Sequence, residues 1–225
     1  MPKLKIPKSA PSLDMTPMVD LGFLLVTFFI LTAKFRPNEP VIVDTPKSTS
    51  EIALPEKVML VTIDQDGRVF FDITGREIKK AMLLGMLERY PNVKVSAESA
   101  NRFAVLGTFG QPVELIERYV KGDEKERQGL DARKDAGVPV DSLNNQLGDW
   151  IQEGYEAFMA DAQAKGFTVA QLREKEGLRY AIKADGNTDY EKVAKVINTF
   201  RDKNIFQFNM VTSLESGEAA VVTEE

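Results

Sequence analysis

The stretch Leu13–Ala33, reading L-D-M-T-P-M-V-D-L-G-F-L-L-V-T-F-F-I-L-T-A, limits what the rest of the chain can be. From Pro17 onward it holds one charge, Asp20, among Leu, Val, Phe, Ile, Met, small residues and two threonines. As a helix, residues 13–33 cover roughly 31 Å at ~1.5 Å per residue, matching one bilayer crossing of ~30 Å. Counted from Pro17 it falls a few residues short, which would set its near end at the headgroups. A lone carboxylate inside a spanning helix costs roughly 2.5–3.5 kcal/mol on insertion scales. A chain needing only an anchor does better with Leu there, so Asp20 is expected to have a task.

Helix geometry gives that task a shape. At about 100° per residue, Thr16 and Thr27 fall within about 40° of Asp20 on one face, and Phe28, Ile30 and Leu25 are assigned to the other. Thr16 before Pro17 reads as an N-cap followed by proline at the first helical position. That position favours the carboxylate of Asp20 through the helix dipole, while removal from water favours its neutral form. If desolvation prevails, Asp20 can take up and release a proton. The alternative is a polar contact that holds a neighbouring helix, worth about 1 kcal/mol. A secretory signal is disfavoured, because Asp20 interrupts the apolar run and no small-residue cleavage site follows.

Composition closes off other classes. The chain has 225 residues and a net charge of −5, with no basic stripe interleaved with aromatics, so nucleic acid is not an expected partner. It has no Cys and no His, which removes disulfides, thiolate chemistry, His-based triads and the commonest zinc ligands. No Gly-rich phosphate loop appears, and nothing calls for a cofactor or an enzyme. Asp185-Gly-Asn-Thr-Asp189 opens like a calcium loop, yet Tyr190 and Val196 stand where Gly and Glu are needed, so a turn followed by a helix cap is the better reading. Asp66-Gly67 beside Asp64 is explained by a hairpin turn.

Asp14-Met-Thr-Pro-Met-Val-Asp20 running straight into the apolar helix resembles the entry of the ExbD/TolR family. These are single-span subunits of proton-driven motors in the inner membrane of Gram-negative bacteria. Thr16, Pro17 and Asp20 fall on the family's N-x-T-P-hydrophobic-hydrophobic-D pattern, and Asp14 stands where Asn is common. The resemblance implies that Asp20 is the protonatable group, facing the pore of an ExbB/TolQ-like pentamer in membrane lipid; Thr27, on the same face by helix geometry, is expected to assist the proton path. It also implies a second copy of the chain, a TonB- or TolA-like periplasmic partner, a cytoplasmic N-terminus and a periplasmic C-terminal domain. Charge alone favours that orientation only weakly, since Lys3, Lys5 and Lys8 are opposed by Lys34 and Arg36. A rival reading is a bitopic scaffold that binds a partner protein or peptidoglycan without proton chemistry.

Read in order, residues 1–12 form a short basic tail, 13–33 the transmembrane helix and 34–57 a proline-bearing periplasmic linker. Within the linker, Val41, Ile42 and Val43 have strand character and are the candidate partner-binding segment, able to add to a sheet edge of this chain or of its twin. The fold class expected beyond is α+β, in the order β-β-α-insert-β-α-β over 58–214, with a helical insert at about 91–176. Val58–Ile63 and Arg68–Ile73 read as strands joined at Asp66-Gly67, followed by a helix from Gly75 and Arg76 to near Pro91. Leu178–Ala184 reads as a strand, Thr188–Glu191 as a capping box before Val193, Val196, Ile197 and Phe200, and Phe206, Phe208 and Met210 as a last strand. The order, and the I-K-A-D-G text of 182–186 with Tyr190 and Val193, are similar to the family's periplasmic domain, the likeness covering about 13–90 and 177–214. In the insert, helices are expected around Val113–Lys121, Ser142–Lys165 and Thr168–Lys175. The second should carry a stripe of Leu143, Leu147, Trp150, Ile151, Gly154 and Phe158, with Asp141 or Ser142 as cap. The texts Phe109–Val113 and Asn144–Leu147 are similar to longer members of the same family. Residues 215–225 are expected to be a flexible acidic tail.

Overall fold

The computed structural model describes residues 15–32, 39–41, 43, 47–48, 57–141, 143–168, 171–172, 177–211 and 213–214. The chain divides into two compact units, Met1–Pro37 and Asn38–Glu225.

Among the described residues the first unit holds helix α1, Thr16–Thr32, whose 17 residues include no buried one. Val19 N–H donates to the Met15 carbonyl at 3.0 Å, so Met15 and not Thr16 holds the cap position and Pro17 sits second in the helix. Proline is tolerated there because the first-turn N–H groups have no intrahelical acceptor. At ~1.5 Å per residue α1 covers about 25 Å, less than the ~30 Å of a hydrocarbon core. The expected span of 13–33 is longer, but residues 13, 14 and 33 lie outside the described residues. Among the described residues no helix is long and apolar enough to cross a membrane.

In the second unit, the nearly continuous apolar, β-favouring run V-M-L-V-T-I makes β2 (Val58–Ile63) the organising, central strand. It pairs antiparallel with β3 (Val69–Ile73) and parallel with β4 (Arg179–Ala184), which pairs parallel with β5 (Asn209–Val211). The sheet order is β3-β2-β4-β5. Met59, Val61, Ile63, Val69, Phe71, Ile73 and Ile182 join the main core. Helix α2 (Arg76–Arg89) contributes Ile78, Met82, Leu83 and Met86 to it. The expected β-β-α opening and β-α-β close are therefore observed.

The segment between them is not an appendage. It holds α3 (Ala97–Phe103), a 3-10 turn at Val113–Leu115, α4 (Ile116–Lys121), α5 (Glu124–Asp131) and α6 (Gln146–Ala164). Trp150 of α6 is fully buried, stacked on Phe71 at 6.5 Å and Phe103 at 6.0 Å and edge-on to Phe109 at 5.0 Å. The insert and the sheet thus share one core. Phe109 also exchanges backbone hydrogen bonds with Phe71 of β3, at 2.8 and 3.0 Å.

Several expectations need correction. Helices α3 and α5 were not expected. Helix α6 starts at Gln146, capped by the Asn145 side chain on Gly148 N–H, rather than at Asp141 or Ser142. Leu143 lies before it and is fully exposed, so the stripe begins at Leu147. The last described helix, α7 (Tyr190–Asp202), has Asp189 at its cap position with no side-chain cap bond. Thr188 instead donates its hydroxyl to the Asp64 carbonyl at 2.8 Å, tying the helix entry to the β2–β3 hairpin. A reciprocal capping box does form at α5, where Asp123 and Glu126 bond to each other's backbone N–H. Strand β5 is short and takes in Met210 alone of the three residues expected there: Phe206 and Phe208 lie ahead of it, Phe206 exposed. Val41 is not in a strand, and Val43 is buried in its own domain. The linker's strand comes later: β1 (Lys47–Ser48) pairs parallel with β6 (Ser213–Leu214). Ile42, most of Thr168–Lys175 and the 1–12 and 215–225 tails lie outside the described residues.

Candidate functional site

On α1, Asp20 is the one ionisable side chain and it is exposed, as are Thr16, Pro17 and Thr27. Thr27 donates its hydroxyl to the Phe23 carbonyl one turn earlier at 2.8 Å, and Thr32 does the same to Phe28 at 2.8 Å. At about 100° per residue Thr27 lies about 20° from the Asp20 direction, whereas Thr32 lies about 120° away. The face opposite Asp20 belongs to Phe29 and Gly22; Phe28 and Ile30 lie about 80° from the Asp20 direction, one on either side of it, which corrects their expected place. A narrow polar line, Thr16–Asp20–Thr27, thus runs along one side of the helix, whose other faces are apolar up to Thr32 at its end.

The second unit holds buried polar groups with structural duties. Asp64 accepts from Arg68 N–H at 2.8 Å and from Arg68 Nε at 2.6 Å, closing the hairpin. Arg68 then donates to the carbonyls of Asp131 and Arg133, at 2.8 and 2.9 Å, which ties the end of α5 to the hairpin. The Asp131 carboxylate accepts from Gln111 at 3.0 Å and Tyr119 at 2.9 Å. Burial pushes its carboxyl above the usual Asp range, against the lowering effect of those two donors. Burial and the Asp131 charge together push the Tyr119 phenol well up. Asp72 is likewise raised by burial in spite of Lys79 Nζ at 2.6 Å. None of these groups stands beside a nucleophile or an acid–base partner in an open cleft.

On the outer face of the sheet, Glu39 reaches Lys183 of β4 at 2.8 Å, and Pro40 and Val41 border one small cavity with Thr62 and Phe70. The candidate linker segment is therefore seated on its own domain. Two adjoining surface cavities, about 600 and 890 Å³, share Tyr155, Tyr180, Phe206 and Gln207. Burial pushes the Tyr180 phenol up to about 12, so it stays protonated near neutral pH. At the suspected calcium loop, Asp185 Oδ1 accepts from the Asn187 backbone N–H at 2.9 Å, a turn, as expected. Among the described residues no cluster of acidic side chains is arranged to hold a metal.

Sequence reading missed Arg68, Asp131 and Gln146 as fixed points. Each acts through a partner distant in sequence, and nothing local marks it.

The biopolymer transport protein ExbD/TolR family matches residues 7–215, insert included, which is wider than the two blocks expected from the sequence. The chain is also 26% identical over 116 residues to the biopolymer transport protein ExbD of Aquifex aeolicus, covering 50% of this chain and 84% of that one. No solved structure matches. On the strength of a match running from its seventh residue to the end of its last strand, this chain belongs to the ExbD/TolR family of biopolymer transport proteins.

Proposed function

We propose that this protein is a non-enzymatic inner-membrane subunit of a proton-motive-force-driven motor that energises outer-membrane transport. In this reading the segment 13–33, which includes α1, spans the bilayer with the N-terminus in the cytoplasm and residues 58–214 in the periplasm. Two copies sit in a pentamer of an ExbB/TolQ-like partner. Protons from the outer aqueous side neutralise Asp20 and leave toward the cytoplasm. The periplasmic domain passes the resulting motion to a TonB- or TolA-like protein.

The observation that carries the reading is Asp20 itself, the one ionisable group on an apolar helix with no buried residue, aligned with two threonines. Family membership supports the motor role. The energies are commensurate. Moving one charge through 100 mV releases ~2.3 kcal/mol, close to the roughly 2.5–3.5 kcal/mol that an acidic residue costs at a helix centre. Proton binding can thus switch which contacts the helix prefers.

Asp20→Asn keeps size and hydrogen bonding but cannot ionise. Cells carrying it should lose energy-dependent outer-membrane uptake while the protein inserts and assembles normally. Wild-type uptake by that variant would leave a scaffold.

A further inference from the structure

Two of the three threonine hydroxyls of α1, those of Thr27 and Thr32, are chemically alike and differ in direction. Each spends its one hydrogen on a carbonyl of its own helix, Thr27 on Phe23 and Thr32 on Phe28, both at 2.8 Å. A hydroxyl has one donor and two acceptor lone pairs, so what such a side chain still offers is acceptance alone. Thr27 offers it on the face of Asp20, and Thr32 about 120° away from it. An internally satisfied hydroxyl can also lose water at small cost, because its donor is never left unpaired.

We propose that Thr27 is an acceptor-only station that positions a hydrated proton for delivery to Asp20. This deepens the proton-carrying reading of Asp20 and rests on it. Thr27 lies seven residues beyond Asp20, roughly 10 Å along the axis, a gap that about three hydrogen-bonded waters bridge. Hydronium and water donate to the Thr27 oxygen. Hydroxide and chloride need a donor, and Thr27 Oγ1 has none to give. In the transfer, an O–H bond of hydronium breaks with its electron pair staying on the water oxygen, and a new O–H bond forms on an Asp20 carboxylate oxygen. Relay along the waters carries the charge. Thr27 neither gains nor loses a proton, so it is a positioning residue.

The test uses the full-length chain with its multi-span partner in proteoliposomes, with proton entry read by an enclosed pH-sensitive dye. Thr27→Val keeps the shape and removes the lone pairs. It should shift the outside proton concentration for half-maximal flux about tenfold higher, the consequence of losing one hydrogen bond to a charged donor, with the maximal flux retained. Thr27→Ser should restore the wild-type value, and Thr32→Val should match wild type. Unchanged half-saturation in Thr27→Val, or an equal shift in Thr32→Val, would overturn the assignment. Asp20→Asn is run alongside: if it conducts like wild type, the carrier reading itself is wrong, whatever Thr27 does.

Discussion

Gln146, fully buried at the start of α6, accepts a hydrogen bond from the Val113 backbone N–H at 2.9 Å. Its amide nitrogen donates to both carboxylate oxygens of Glu114, at 3.1 and 3.2 Å. One side chain thus joins the Phe109–Val113 text to the Asn144–Leu147 text, two stretches whose purpose is not evident in sequence. Gln146→Leu leaves the Val113 N–H buried without an acceptor, and one such group costs about 1–3 kcal/mol. Urea unfolding of the full chain should register a loss of that size, mainly as a lower midpoint at unchanged slope.

Asp131 gives the domain a pH dependence of unusual sign. Burial raises its carboxyl above its ordinary 3.8 in the folded state, so folding favours the protonated form. Its stabilising contribution is complete below pH 3.8 and fades as pH rises through the raised folded value. Asp131→Asn, which never ionises, should lack this component. The stability difference between the two proteins, measured by urea unfolding from pH 3.5 upward, should move in favour of the variant as pH rises, whatever other carboxyls do. A constant difference would contradict the assignment.

Gly110 packs directly on Phe70, a ring with no solvent exposure, and an added Cβ would overlap that ring. The ring cannot move aside without disturbing the outer sheet face, where overpacking costs about 1–3 kcal/mol. Gly110→Ala should therefore destabilise by that much. Gly166→Ala offers a contrast: it meets open space, so its cost arises solely from its φ of +82°. Thermal unfolding of both, with Phe70→Leu added to each, separates the two causes: Phe70→Leu should lessen the Gly110→Ala effect and leave that of Gly166→Ala as it was.

Much of the sheet was legible because its constraints are local. Val58–Ile63 and Val69–Ile73 declare themselves as β-favouring apolar runs on either side of an Asp-Gly turn, and α2 through its spaced apolar residues. What failed was set by distant partners. Helix α5 reads E-K-E-R-Q-G-L-D, with Leu130 its one buried apolar side chain, and is held by its capping box and by Arg68 across 63 positions. Thr188 looked like a cap, and the Asp64 carbonyl claimed its hydroxyl. Leu143 fitted a stripe by spacing alone, but the helix starts only after it. On α1 the T-P-x-x-D text pointed to the family, and the family match agrees. Its direction of hydrogen bonding, which decides what Thr27 can offer, needed coordinates.

Whether the Asp20 carboxyl takes up a proton in the working complex is open to direct observation. Infrared difference spectra of the assembled membrane complex, recorded as a proton gradient is imposed and then collapsed, report protonated carboxyl groups by their C=O stretch. The account predicts a band that grows with the gradient, fades without it and is missing in Asp20→Asn. A spectrum with no such band in the wild type, while the complex still drives uptake, would contradict it.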